Sequence, residues 1–389
     1  MSPTAHAFLS ASGSHRWLTC TPSAQLEADI PETHSDFAAE GTTAHELAEV
    51  ELSLLLKKIT KTAYNKRVAA IKKSEYYSPE MMQYVGEYTE QIRELSAALE
   101  AAGLHPYIDL EQRVDFSDIV PGGFGTADVV LIAGESLHVI DLKYGKGVPV
   151  SAERNPQLML YAWGALRKYY MLFNVAEVEM TIIQPRLNST SSFAMGYKEL
   201  EAWAHGHVAP RAKLADAGEG DFCPSDDACR FCRAKAVCRA RSEENLAIAR
   251  DDFALPPLLS VDEVAELLPG LAALEKWAAD LQEWALVQAR DHEVKFVGYK
   301  LVEGRSNRKI SNVAKAEATL KEAGYAMREY IKPTELKGIT ELTKLLGKPK
   351  FGELLGDLVV KPAGKPVLVP ESDKRPALSS AARAAEDFG

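Results

Sequence analysis

Apolar residues recur every three to four positions along residues 41–58, 78–102 and 261–290, a spacing that predicts three amphipathic helices. Ser78 followed by Pro79 suits a cap and a first-turn proline for the second of them. In the third, Leu267, Leu268, Leu271, Leu274, Trp277, Leu281 and Trp284 share one apolar side, so both tryptophans are assigned to packing rather than base stacking. From about Tyr107 to Lys143 the pattern turns strand-like. A helix follows, with Asn155 as its N-cap and Pro156 as its first residue, and then a strand over 178–187. Residues 294–303 alternate as a strand, and 312–361 read as short helices broken by Gly and Pro. The order of elements predicts an α/β (α+β) core with helices on its faces. A soft boundary near Ala254 to Pro257 divides this core (1–253) from a mainly helical C-terminal region (254–371) and a disordered tail (372–389).

Composition narrows the class. At 389 residues, with 46% apolar and 26% charged positions, the chain can build a core of ordinary size. The longest apolar runs fall far short of a bilayer span, and no secretory signal opens the chain, so the expected location is cytoplasmic, with no membrane partner. The net charge of −10 disfavours a generic nucleic-acid coat, yet KKITKTAYNKRVAAIKK (57–73) carries seven basic residues and no acid. That run reads equally as a solvated helix face or a DNA-facing one. No Walker motif occurs, so any helicase activity would come from another chain.

The chemistry gathers in GTADVVLIAGESLHVIDLKYG (125–145). The loop Gly134-Glu135 suits a type II′ hairpin turn, which pairs Ala133 with Ser136 and brings Asp128 opposite Asp141. Lys143 shares the Asp141 face. Facing carboxylates about 5 Å apart destabilise a hairpin unless a positive charge lies between them. Mg²⁺ or Mn²⁺ is the divalent cation that such hard oxygen ligands suit. A metal held there can activate a water, and Lys143 can assist that water or stabilise developing negative charge. Glu111, just before the hairpin, is weighed as a further ligand and left outside the assigned set.

Five cysteines occur, and Cys229, Cys232 and Cys238 have metal-ligand spacing. The fourth ligand is open between Cys20 and the local Cys223. A set built on Cys223 could hold Zn²⁺.

GTAD followed by HVIDLKYGKG resembles the metal-binding core of the PD-(D/E)XK nucleases, in their RecB-like, AddB-type iron–sulfur exonuclease subgroup. The likeness covers roughly residues 8–245, and the complete layout is similar to an uncharacterised phage and prophage family with this core. It implies a restriction-endonuclease-like fold with a mixed central sheet. It also implies a metal shell of His45 (in GTTAHE), Asp128, Asp141 and the Leu142 carbonyl, with Lys143, Gln157 and Tyr161 completing the catalytic set. Gln157 and Tyr161, four residues apart, share a helix face whose free first-turn N–H groups favour a phosphate. A [4Fe–4S] cluster on Cys20, Cys229, Cys232 and Cys238 is the implied staple, with Zn²⁺ as the alternative.

The expected activity is therefore metal-dependent hydrolysis of DNA, as an exonuclease of phage or prophage recombination or DNA processing, leaving 5′-phosphates. Expected partners are DNA ends and either a single-strand-binding or annealing protein or a helicase. The alternatives are a catalytically silent DNA-binding or assembly protein with a nuclease-like fold, and a zinc-stabilised interaction protein.

Overall fold

The computed structural model describes residues 7–31, 36–251, 261–304, 309–331, 336–360, 362, 366–370 and 374–377. The expected boundary at 254–257 and all of the expected tail except 374–377 lie outside these residues. The chain forms two compact units, Met1–Leu274 and Glu275–Gly389.

The first unit opens with short helices α1 (Ser14–Thr19) and α2 (Ser23–Glu27), then α3 (Asp36–Leu55), α4 (Lys61–Ile71) and α5 (Pro79–Ala101). Helix α3 starts earlier than its apolar periodicity because its first turn is solvent-facing and gives no hydrophobic signal. The basic run forms α4, capped by the Thr60 hydroxyl, which accepts from Ala63 N–H. Ser78 caps α5 in the same way, through Met81 N–H, with Pro79 in its first turn.

Strands β1 (Tyr107–Asp115), β2 (Phe124–Ala133) and β3 (Ser136–Leu142) follow, then α6 (Pro156–Tyr169), β4 (Glu177–Gln184) and β5 (Ser189–Gly196). They form one mixed sheet in sequence order, antiparallel except for the β3–β4 pair, which α6 connects. Gly134 has φ 59° while Glu135 does not take a positive φ, as a II′ turn requires. The β2–β3 ladder accordingly runs from Ala133↔Ser136 to Val129↔Ile140. Strand β4 ends at Gln184, short of the expected Leu187, because Pro185 has no N–H to pair and begins a 3₁₀ turn. Strand β5 (STSSFAMG) gives no apolar signal in the sequence. It is a half-solvated edge strand.

Helix α6 packs one face of the sheet with ten of its fourteen residues buried, which makes it the central helix of the unit. It approaches β1 so closely at Gly164 that a Cβ there would sit 2.9 Å from Val114 Cβ. Apolar residues of α3, α4 and α5 form a second core with Leu110, Val129, Ile140 and Leu142. Helices α7 (Tyr197–Trp203), α8 (Ala209–Ala217), α9 (Asp226–Arg230) and α10 (Arg239–Asp251) complete the unit, α7 running into α8 through a π-helical turn.

Helix α11 (Val261–Asp291) contains the division between the units. Its expected apolar side is less buried than the periodicity implied. Leu268 and Leu271 are 59% and 46% exposed, and Trp277 and Trp284 are only half-buried. In the second unit, β6 is confined to Tyr299–Glu303, and the short strand β7 is Lys309–Ile310. Helices α12 (Val313–Glu322), α13 (Met327–Tyr330), α14 (Ile339–Leu346) and α15 (Lys348–Leu355) enclose a small core around Leu320, Leu342 and Leu355. Strand β8 (Val359–Val360) pairs with β7, and β9 (Pro366–Pro370) pairs with β6. No described helix is long and apolar enough to cross a membrane.

Candidate functional site

Beyond Val129↔Ile140 the β2–β3 ladder gives way to side chains. Asp128 Oδ2 accepts a hydrogen bond from Leu142 N–H at 2.8 Å, so a carboxylate takes the donor that the neighbouring strand would otherwise satisfy. Its other oxygen, Oδ1, lies 3.3 Å from His45 Nδ1 on α3. Glu111 joins from β1, in the register position facing Asp128, with left-handed φ 49°. A left-handed non-glycine residue inside a strand is strained, and such strain persists where the surroundings enforce it. One ligand atom each from His45, Glu111 and Asp128 lies within 4.8 Å of the others. Asp141 is 3% exposed, and Lys143 Nζ stands 2.9 Å from its Oδ2. That contact is an ion pair without hydrogen-bond angles, and Asp141 Oδ2 has no hydrogen-bond partner among the described residues.

These groups shift one another. Burial opposes the charged form of His45, but the charge and hydrogen bond of Asp128, then Asp141 and Glu111, raise it to about 9. Loss of surrounding water and the Asp128 charge push Glu111 up to about 7. Glu111 as a residue is exposed, so charge crowding is the part of its shift that an open site retains. Burial and the Asp128 charge hold Asp141 above the usual carboxylate range against the pull of Lys143. In Asp128, burial is outweighed by His45, Leu142 N–H and Lys143, and its carboxyl stays low. Three carboxylates thus crowd one lysine, and a proton on His45 supplies the balancing charge. A divalent cation fits this donor set: it would meet two hard oxygen ligands and an imidazole, with the lysine-paired Asp141 carboxylate nearby.

His45 has its pKa raised from 6.5 to about 9, so its contribution to stability in the metal-free protein is fully present below pH 6.5 and lost as pH rises through about 9. A Mn²⁺ ion held by His45 would compete with that proton, so its affinity measured by calorimetry is expected to rise from pH 6.5 to about 9. A flat affinity across the window would remove His45 from the ligand set.

Lys143 also donates to Gln157 Oε1 at 3.0 Å, and Gln157 Nε2 donates to the Tyr161 hydroxyl at 3.1 Å. The two α6 residues therefore aim the lysine. They do not leave the helix N-terminus open for an anion, as the sequence reading supposed. Asn155 Oδ1 already accepts from Gln157 N–H and Leu158 N–H at 3.1 and 3.3 Å. Gly125 of the GTAD motif makes room for this chain, because a Cβ there would lie 2.6 Å from Tyr161 Cε1. Gly125→Ala is expected to displace the Tyr161 ring, destabilise the fold by about 1–3 kcal/mol, and leave Mn²⁺ affinity within about threefold of wild type. Calorimetry and thermal denaturation together check this.

Cys20, Cys229, Cys232 and Cys238 line one small cavity with Leu26, Phe222 and Ala228, while Cys223 is exposed. Cys223 contributes its backbone instead, N–H to Cys20 Sγ at 3.4 Å. Long-range bonds bring Cys20 to this place. Thr21 Oγ1 donates to Glu219 O at 2.6 Å, Gln25 Nε2 to Asp216 O at 2.7 Å, and Arg211 Nη2 to Thr19 O at 2.9 Å. Buried Glu27 pairs with Arg16 at 2.8 Å and accepts from Arg233 N–H. Burial, with Glu27 beside it, pushes the Cys232 thiol up to about 12, and burial raises Cys20 and Cys229 as well.

His45, Asp128, Asp141, Leu142, Lys143, Gln157 and Tyr161 thus meet at one place, and four of the five cysteines meet at another. Glu111, left outside the set assigned from the sequence, stands beside His45 and Asp128. A crystal structure described as that of SSO0001 is similar at 14% identity, covering 58% of this chain and 96% of that one, with a TM-score of 0.24. So loose a likeness says nothing about the site. A family model described as "Protein of unknown function (DUF2800)" matches residues 6–376, nearly the whole length, and the chain belongs to that family.

Proposed function

We propose that the protein is a metal-dependent deoxyribonuclease of the PD-(D/E)XK type, with a restriction-endonuclease-like core, acting as an exonuclease in phage or prophage recombination or DNA processing. The observation that carries this reading is the convergence of His45, Glu111 and Asp128 beside an ion-paired Asp141 and Lys143. A bound Mg²⁺ or Mn²⁺ would polarise a phosphoryl oxygen and make a coordinated water more acidic.

The remaining work falls to the chain itself. His45, Glu111, Asp128 and Asp141 would supply the ligand atoms, with the Leu142 carbonyl as a further one. Asp128 is held in place by Leu142 N–H. Lys143 neutralises Asp141 in the resting protein and is steered by Gln157, so its ammonium can move to a developing negative charge on the phosphate. DNA is the substrate that the flanking charge suits. Arg67 on α4 pairs with Glu49 on α3, one helical turn from His45, while Lys61, Lys66, Lys72 and Lys73 stay exposed on or beside α4. Lys58 is spent on Asp109 at 3.0 Å and is excluded from that surface.

The four-cysteine cavity is proposed to hold a [4Fe–4S] cluster that fixes the N-terminal segment to residues 223–238. Its role is structural, since hydrolysis transfers no electron. A single-strand-binding or annealing protein, or a helicase, is the proposed partner, and the bacterial cytoplasm the proposed location.

The test offers linear and covalently closed duplex DNA to the anaerobically purified protein with Mn²⁺. Short 5′-phosphorylated products from the linear form alone are expected. Binding without cleavage of any form would favour a silent DNA-binding protein, and cleavage of closed circles would make it an endonuclease.

A further inference from the structure

Tyr88 of α5 is 1% exposed, and its hydroxyl oxygen has no hydrogen-bond partner among the described residues. Leaving a buried hydroxyl unpaired is costly, and it survives where something outside the protein completes it. The surroundings of the ring show where that something sits. Tyr88 packs in one core cluster with Ala44, Leu110, Val129, Ile140 and Leu142. Helix α3, which packs against α5 in this core, also carries His45, whose Nδ1 lies 3.3 Å from Asp128 Oδ1. The charges of Asp128, Asp141 and Glu111 reach the phenol and, after burial, hold it well above its ordinary value, so it remains a donor. The carboxylates of the acid cluster are the acceptors whose charge reaches the ring, and none of the described residues is within hydrogen-bonding reach of the hydroxyl.

We propose that Tyr88 is a positioning residue of the acid cluster, its hydroxyl donating a hydrogen bond to the water or oxygen ligand held among His45, Glu111 and Asp128. The inference rests on the reading that this cluster binds a divalent cation. Tyr88 touches no substrate in this arrangement. It fixes the orientation of a metal-bound oxygen from the side opposite Lys143's partner helix α6, as outer-shell donors orient ligands at other metal sites.

The test compares Mn²⁺ affinity by calorimetry and thermal stability without metal, in wild type, Tyr88→Phe and Asp128→Asn. The phenyl ring preserves the packing, so Tyr88→Phe should melt at or above the wild-type temperature while binding Mn²⁺ about 10-fold or more weakly. A purely packing role would leave the affinity unmoved. Wild-type affinity in Tyr88→Phe, with binding lost in Asp128→Asn, overturns the role of Tyr88 and leaves the metal centre standing. Absence of Mn²⁺ binding by wild type overturns both.

Discussion

Asp128→Asn is expected to abolish DNA cleavage, by at least about 1000-fold, the scale on which loss of an essential member of a catalytic unit is felt. The substitution keeps the shape of the side chain, and its amide oxygen can still accept Leu142 N–H, a bond of 2.8 Å in the native chain. Folding should survive for that reason. What disappears is the charge that holds His45 at about 9 and that is proposed to bind a cation. The imidazole should then titrate lower, as NMR of the ring would show. Cleavage at the wild-type rate in a folded Asp128→Asn protein would place the chemistry elsewhere.

The second large effect belongs to the cysteines. Cys20→Ser is expected to remove absorbance near 400 nm from anaerobically purified protein and to lower its melting temperature sharply, whereas Cys223→Ser should leave both within error of wild type. The contrast follows from position: Cys20 is buried in the four-thiol cavity and Cys223 is exposed. It also follows from topology. A cluster through Cys20 closes a loop of about 210 residues, and removing so long a constraint releases much chain entropy. Stoichiometric zinc with no 400 nm band in wild type would replace the cluster with a zinc site.

The hairpin at the centre of this account was legible because its geometry is nearly forced. A two-residue Gly-X loop sets the register, and strand parity then fixes which side chains face each other. Asp128, Asp141 and Lys143 could therefore be brought together on paper. Glu111 could not be placed as firmly, because the connection from Asp115 to Phe124 is too long to set the β1–β2 register from sequence. Its left-handed backbone leaves no mark on residue type. Tyr88 is invisible for a different reason: on a helix face, a tyrosine that ends in a site and one that merely packs have the same periodicity. That Cys20 rather than Cys223 lines the cavity with the other three depends on contacts between residues some two hundred positions apart, such as Thr21 to Glu219, which local spacing cannot report. Strand β5 was missed because its outward positions are serine and threonine, and α11 was over-read because a leucine stripe at helical spacing does not reveal how much of it is covered.

The most direct test of a metal-dependent hydrolytic centre at the end of the β2–β3 hairpin is a metal add-back. Wild type and Asp141→Asn are stripped with a chelator that spares the cysteine cluster, and Mn²⁺ is titrated back over end-labelled linear DNA. Nucleotide release by wild type is expected to climb from zero and saturate with Mn²⁺, while Asp141→Asn stays at background throughout. Release that persists in the stripped protein, or that Asp141→Asn regains at the wild-type level, would place the hydrolytic centre elsewhere.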